Sequence, residues 1–487
     1  MCGLSGEVRW DGERADVAAV ARMSARLDAR GPDGAGLWAQ GNRALGHRRL
    51  AIIDLSRTGA QPMVDPELQL ALVFNGCIYN YPALRERLRD AGYRFFSTSD
   101  TEVVLKAYHR WGAGCVDHFR GMFAFAVVEL GTGRVVLARD RLGIKPLYLA
   151  ESPRWLRFAS TLPALLAADD VDTGLDPVAL HHYLSFHSVV PAPHTILNGV
   201  RKLPPATVRV LEPNGRAKDT RYWDPPYTRD PVRVGMSDED WQKAVLDGLR
   251  VAVKRRMVAD VPVGVLLSGG LDSSLVVALL AEAGQSGLRT FSIGFEAAGG
   301  ESGDEFAYSD IVAQHFATKH HQIRIPTDDI VPAVRATVAA MSEPMVSHDC
   351  VAFHLLSREV VKDVKVVQSG QGADEILAGY DWYPLLAGAP RDEAVDAYAQ
   401  VFVDRPSDAV AELLQPAYRV EGDPSREFIA EHMGRPGAQT ALDAALRLDT
   451  QVMLVDDPVK RVDNMTMAWG LEARVPFLDH ELVELVA

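Results

Sequence analysis

The sequence predicts two domains of different fold class: an α+β amino-terminal domain, then an α/β domain built on a mainly parallel sheet. Three observations predict this. Residues 1–210 carry short β-branched and aromatic runs separated by Gly, Asn and Asp turns, the pattern of successive strands. Residues 211–240 are polar and rich in Pro and Asp, which reads as a linker. From residue 241 to 487, strand-like and helix-like runs alternate, which argues for parallel strands with helical crossovers. A chain of 487 residues is long enough for this division at roughly 100–200 residues per domain.

In the first domain, strands are expected at Leu50–Leu55, Leu70–Phe74, Phe123–Glu129, Arg134–Ala138 and Tyr148–Ala150. Helices are expected near Asp16–Asp28, at Pro82–Asp90, and at Thr101–Trp111 after the cap-like pair Ser99-Asp100. In the second, Val261–Leu267 reads as a buried strand feeding a Gly-rich turn and a helix over Leu275–Ala283. Arg289–Phe295 and Lys365–Gln368 read as further strands, and Phe306–Thr318 as a helix. Residues 391–455 are Ala-rich and helical, and no internal repeat is visible.

A hydrophobic fraction of 47% with 24% charged residues is that of an ordinary soluble protein. The net charge of −14 argues against a nucleic-acid partner. No window approaches the roughly 20 apolar residues that span a bilayer, so no membrane partner is expected. The first residues lack a basic segment followed by an apolar one, so no signal peptide is expected. Cys2, Cys77, Cys115 and Cys350 form no Cys-x-x-Cys pair and no zinc spacing. A reducing, cytoplasmic setting fits them.

Cys2 follows the initiator methionine, which is commonly trimmed before a small residue. Its α-amine, titrating near 7.7–8.0 against about 8.5 for the thiol, would then be a built-in general base. A thiolate attacking a carboxamide gives a tetrahedral oxyanion, a thioester and free ammonia. Around it stand turn-rich polar clusters: Arg30-Gly31-Pro32-Asp33, His47-Arg48-Arg49-Leu50 and Asn75-Gly76-Cys77-Ile78-Tyr79-Asn80. With Ser99-Asp100, these resemble the class II glutamine amidotransferase domain, an amino-terminal nucleophile hydrolase with an αββα sandwich, over about residues 1–200. The resemblance implies that Cys2 is the nucleophile. It implies that Arg49 holds the glutamine carboxylate with Ala51, Ile52 and Ile53 continuing that wall. Asn75 and the Gly76 N–H would form the oxyanion hole, and Asp100 would pair with the glutamine ammonium. Cys77 stands where the family motif Asn-Gly-Glu-Ile-Tyr-Asn has Glu, so one anionic contact to that ammonium is absent.

The run Leu267-Ser268-Gly269-Gly270-Leu271-Asp272-Ser273-Ser274 joins a buried strand to a helix through a glycine turn. Glycines admit close backbone approach, and a helix's first N–H groups bind anions. The run has no Gly-Lys-Ser/Thr and no dinucleotide fingerprint. A second turn, Ser369-Gly370-Gln371-Gly372-Ala373-Asp374-Glu375, again follows a strand, which places both at the carboxyl edge of the sheet. Together with Arg461-Val462-Asp463-Asn464 and Leu471-Glu472-Ala473-Arg474-Val475-Pro476-Phe477-Leu478-Asp479, they resemble the ATP pyrophosphatase domain of the glutamine-hydrolysing asparagine synthetase family, a Rossmann-like PP-loop fold.

That resemblance implies ATP contacts at 267–274, Ile293, Ser369 and Gly370. Mg²⁺ is implied at Asp272 and Asp374, and acceptor-side positions at Gln371, Glu343, Arg461 and Asp463, with His348 beside Glu343. The family usually continues past His480–Ala487 with a lysine that helps bind pyrophosphate, so the second domain is expected to be cut short. Gln371 replaces a carboxylate common in asparagine synthetases. With Cys77 and the segment Leu184–Pro193, it makes the chain most similar to the branch that amidates N-acetylglutaminylglutamine. The partners expected are small molecules (glutamine, ATP and a carboxylate acceptor), with a homodimer as the expected assembly. The alternatives are asparagine synthesis, and a glutamine-binding regulatory protein with an inactive synthetase half. A β-lactam-forming synthetase would typically lack the nucleophilic cysteine.

Overall fold

The computed structural model describes residues 2–231, 233–296 and 303–487. Twelve strands come from the first part of the chain: β1 (Gly3–Arg9), β2 (Gly34–Gln40), β3 (Arg43–Arg49), β4 (Met63–Asp65), β5 (Leu70–Ile78), β6 (Gly121–Glu129), β7 (Val135–Arg139), β8 (Tyr148–Glu151), β9 (Trp155–Ala159), β10 (Arg201–Lys202), β11 (Thr207–Leu211) and β12 (Ala217–Arg221). Among the described residues they form two antiparallel six-stranded sheets, in the orders β10-β8-β9-β1-β3-β2 and β12-β11-β7-β6-β5-β4.

The period-2 alternation of a strand builds the layers. On β6, Ala124, Ala126 and Val128 join Leu4, Leu45 and Phe158 of the other sheet in the core between the sheets. Phe123, Phe125 and Val127 point the other way, beneath the helices Tyr81–Asp90 and Asp100–Trp111. The opposite sheet is covered by the helices Val17–Ala25 and Leu162–Leu166. The result is an αββα sandwich, as expected from the sequence.

The second half holds a wholly parallel sheet of β13 (Val263–Leu266), β14 (Arg289–Phe295), β15 (Lys319–Ile325), β16 (Val366–Gln368) and β17 (Glu472–Arg474), ordered β15-β14-β13-β16-β17. The chain runs outward from β13 to β15 and then returns to β16 on the other side. The carboxyl ends of β13 and β16 therefore flank a switch point, where such sheets bind ligands. Helices cover both faces, and a separate helical cluster contains Tyr383, Tyr398, Ile429 and Met453.

Three readings of the sequence differ from the structure. Leu50–Leu55 is not a strand. Asp54 takes φ +55°, and its carboxylate accepts hydrogen bonds from the Ser56 N–H and hydroxyl, the Thr58 hydroxyl and the Thr98 N–H. A side-chain-organised turn replaces the ladder. Residues 211–240 are not wholly irregular, since Ala217–Arg221 pairs with β11 as an edge strand of the first domain. The helix near Asp16–Asp28 is shorter, Val17–Ala25, with Asp16 as its cap. Among the described residues no helix is long and apolar enough to cross a membrane.

The two halves share one apolar cluster, in which Leu50, Ile52, Ile53, Cys77, Tyr79 and Met122 pack with Val265, Leu267 and Phe477. Buried ion pairs cross the same boundary. Asp463 takes Arg30 at 2.8 Å and Lys145 at 3.4 Å, and Lys202 takes Asp456 at 2.7 Å and Glu343 at 3.2 Å. Removing one member leaves uncompensated buried charge. Asp463→Ala is therefore expected to cost about 3–5 kcal/mol, read as a lower denaturation midpoint. A midpoint equal to the parent's would rule the pair out as a brace.

Candidate active site

The first pocket lies at the start of β1 and is lined by Cys2, Arg49, Leu50, Ile52, Ile53, Gly59, Gln61, Phe74, Gly76, Cys77, Ser99, Asp100, Thr101, Glu472 and Arg474. The Cys2 N–H donates to Asn75 Oδ1 at 2.9 Å, and the thiol lies 3.9 Å from the Leu50 carbonyl. Burial pushes the Cys2 thiol up. Asn75 is fully buried, and its Nδ2 has no hydrogen-bond partner among the described residues. Such a donor is costly unless something else accepts from it. A developing oxyanion beside Cys2 is such an acceptor.

Gly76 is required by its surroundings. On β5 opposite Phe123 it has φ +157°, and a Cβ there would lie 2.1 Å from the Met122 carbonyl oxygen. The Arg49 guanidinium is fixed by the Asp54 and Ser56 carbonyls. Asp100 opens the helix Asp100–Trp111, capped by Ser99, and accepts from the Ile78 N–H at 3.1 Å. Burial pushes its carboxyl up to about 6. Cys77 is 1% exposed, and burial pushes its thiol up despite Arg474, so it is neutral. Ala51 is not part of the lining; its N–H is tied to Asp33 at 2.8 Å. Leu50, Gly59, Gln61, Glu472 and Arg474 were not anticipated.

The second assembly lies on β13 and β16. Gly269 has φ +94°, and a Cβ there would meet the Ser309 nitrogen at 2.5 Å. Ser268 and Ser273 hydroxyls lie 3.0 Å apart. Ser274 Oγ is buried without a hydrogen-bond partner among the described residues. Leu271 and Asp272 open the helix Leu271–Glu282. A Cβ on Gly370 would sit 3.0 Å from Asp272 Cβ, so the two loops touch. Ser369 is buried, and Gln371 follows with its N–H 3.5 Å from Ser369 Oγ. Leu267 is 1% exposed and packs in the core, so its side chain presents no open face; Ile293 is half-buried nearby.

Asp272 and Asp374 fit a divalent cation. Burial raises both carboxyls, and Asp374 raises Asp272 further. No ion pair to either occurs among the described residues. Two carboxylates are few for a protein-only metal cage, and no group of three or more candidate ligands occurs among the described residues. Mg²⁺ is characteristically held by one or two carboxylates plus substrate phosphates.

The acceptor-side residues do not all converge. Arg461 Nη1 donates to Ser347 Oγ at 3.0 Å, and its Nε is buried without a partner among the described residues. Asp463 faces Arg30 and Lys145 at the domain boundary. Glu343 is 3% exposed and bound to Lys202 and Tyr148, with Oε1 unpartnered among the described residues. The His348 side chain is 97% exposed and encloses nothing.

Residues 1–223 match the family described as glutamine amidotransferase domain, and residues 244–487 that described as asparagine synthase. The chain is similar to the glutamine-hydrolysing asparagine synthetase 3 of Bacillus subtilis, with 31% identity over 508 residues, covering 100% of this chain and 80% of the relative. Synthetase 1 of the same organism is 29% identical, over 96% of this chain and 77% of its own length. Synthetase 2 of Arabidopsis thaliana is also 29% identical, over 100% and 70%.

Proposed function

Because the chain belongs to the glutamine-hydrolysing asparagine synthetase family, carbon–nitrogen ligases that use glutamine and ATP, we propose that it frees ammonia from glutamine at Cys2 and delivers it to an ATP-activated carboxylate. The reaction is ATP + glutamine + R–COOH + H₂O → AMP + pyrophosphate + glutamate + R–CONH₂. Cys2 attacks the carboxamide. Asn75 Nδ2 and the Gly76 N–H take the oxyanion. Arg49 and Asp100 hold the two charged ends of glutamine. The Ser268–Ser274 turn and Ser369-Gly370 receive the phosphates. Asp272 and Asp374 would hold Mg²⁺, which neutralises triphosphate charge when bound. The observation that carries this reading is the continuity of the two sites: Arg474 lines the Cys2 pocket, and its carbonyl accepts from the N–H of Ser369 in the second loop at 2.9 Å.

The acceptor we propose is the terminal carboxylate of N-acetylglutaminylglutamine. Cys77, Gln371 and the segment 184–193 support it, and Gln371 cannot take a proton near neutral pH. Aspartate is the second reading, favoured by the names of the relatives. Pyrophosphate release from purified protein, with glutamine and ATP and each acceptor in turn, separates them. Faster turnover with aspartate would overturn the preferred acceptor.

The carboxyl of Asp100 must be ionised to hold an ammonium, and a carboxyl is ionised only above its pKa. With that pKa raised to about 6 by burial, glutamine binding should weaken as pH falls through about 6. The expected result is an acid limb near 6 in kcat/KM for glutamine that is absent from the ammonia-dependent reaction. A limb shared by both reactions would assign it elsewhere.

A further inference from the structure

The wall of the Cys2 pocket that carries Arg49 is held from the other domain. The Arg49 guanidinium is kept in place by two backbone carbonyls of one turn, those of Asp54 and Ser56. Its further N–H donors are left for a ligand in the pocket that it lines. The turn itself needs support. Asp54 takes φ +55°, a conformation uncommon for a residue with a side chain and kept only where the surroundings hold it. Part of that hold comes from its own carboxylate, which accepts from Ser56, Thr58 and Thr98. The rest comes from Asp260, in the segment that enters β13. The Asp260 carboxylate accepts from the Asp54 N–H at 2.7 Å, and the Asp260 N–H donates to the Ile52 carbonyl at 2.9 Å.

Two reciprocal bonds to one residue fix the stretch between them, where a single bond would let it swing. Ile52 and Ile53 line the pocket and pack with Val265 and Leu267 of the second domain, so the same stretch is gripped by its side chains as well. Asp54 is 3% exposed. Removing the Asp260 carboxylate takes the acceptor away from a buried N–H, which is costly. Residues 52–54 then relax, and the Asp54 carbonyl that orients Arg49 moves with them. We propose that Asp260 is a positioning residue for glutamine: through the Asp54 turn it sets the Arg49 guanidinium that holds the α-carboxylate. This rests on the reading of the Cys2 pocket as the glutamine site. The carboxylate clamp of the first domain is then complete only with the second domain docked on it. The strand that Asp260 leads into ends at the Ser268–Ser274 turn, so one short stretch of chain joins the glutamine clamp to the turn proposed for the phosphates.

The test compares glutamine with 4-aminobutanamide, which is glutamine without its α-carboxylate, by ammonia release from the full chain, or by competitive inhibition where the analogue is not turned over. Asp260→Ala is expected to lower kcat/KM for glutamine about tenfold, the scale of one lost hydrogen bond to a charged acceptor. The loss should fall chiefly on KM, because Arg49 holds ground state and transition state alike. The analogue gives Arg49 nothing to hold and should change by less than about threefold. Ammonia-dependent synthesis should match the parent's. Asp260→Asn keeps an oxygen for the Asp54 N–H and should retain most of the preference for glutamine. An unchanged preference overturns the proposal, and so does an equal loss on both compounds, the mark of a merely structural residue. An equal fall in ammonia-dependent synthesis also overturns it, by placing the effect at β13. Asp260 is exposed, so the substitution opens no cavity. If Asp260→Ala still does not fold, Asp260→Ser, whose side chain is too short to bridge, is read on the same ratio, where a fall of about tenfold is expected and none overturns it. Ammonia release that survives Cys2→Ala would remove the pocket reading itself, whatever the Asp260 variants do.

Discussion

Cys2→Ala is expected to abolish ammonia release from glutamine and glutamine-driven amide formation, a loss of roughly 10⁴-fold or more for removal of a nucleophile, while free ammonia still supports synthesis. The physical reason is separation of labour. The thiol sits in a pocket whose only proposed task is to make ammonia, and the turns proposed to receive the phosphates follow β13 and β16 of the other domain. The side chain is small, 7% exposed, and its one hydrogen-bond contact among the described residues is the long one to the Leu50 carbonyl. Alanine leaves the Asn75 and Arg30 contacts to its backbone in place. The measurement is pyrophosphate release with glutamine and then with an ammonium salt. Failure of ammonia to restore it would sink the two-site reading, because the alanine leaves the backbone contacts at residue 2 as they are.

Much of this arrangement is legible in the sequence, and what is not has identifiable causes. Four strands of the sandwich, β5 to β8, show because one face of each is apolar toward the other sheet and the second apolar toward helices, as on β6, while β1 to β4 and β9 to β11 do not show. The strand β15 does not show, since Lys319–Ile325 lies at the sheet edge with only Ile325 buried. β12 does not either, because all five of its residues are exposed. Strand propensity measures fit to a half-buried pleated surface, and these segments bury too little to signal it. The reverse error occurs at Leu50–Leu55. Leu50, Ile52 and Ile53 are apolar because they line the Cys2 pocket and pack on the second domain, not because they belong to a sheet.

The site divides in the same way. Cys2, Asn75, Gly76 and Asp100 lie in local motifs, and the backbone that brings them together is the sandwich itself. Glu472 and Arg474 lie in a run that the sequence marks as notable, but no local pattern says that two charged residues on a three-residue strand reach a pocket built by residues 2–101. Long-range placement of this kind carries no periodicity. For Asp463 the sequence suggested an acceptor-facing role, but two buried cations of the first domain claim it.

The mirror of the Cys2 experiment is Asp272→Asn, which should spare glutamine hydrolysis and stop synthesis. Asp272 lies in the first turn of the helix Leu271–Glu282, where an anionic triphosphate would also be drawn. An acid there, within electrostatic reach of Asp374, works against phosphate binding unless a cation lies between them. With two carboxylates and a polyphosphate meeting at one sheet edge, the cation lowers the energy of all three, and losing one carboxylate weakens its hold. Asparagine keeps the size and removes the charge. Pyrophosphate release is expected to fall roughly 10²–10³-fold, the equivalent of about 3–4 kcal/mol of lost stabilisation, and the Mg²⁺ concentration for half-maximal rate should rise. Ammonia release from glutamine without ATP should stay near the parent level, since no Cys2-pocket residue is touched. If the variant keeps its synthesis rate at limiting Mg²⁺, Asp272 is no metal ligand.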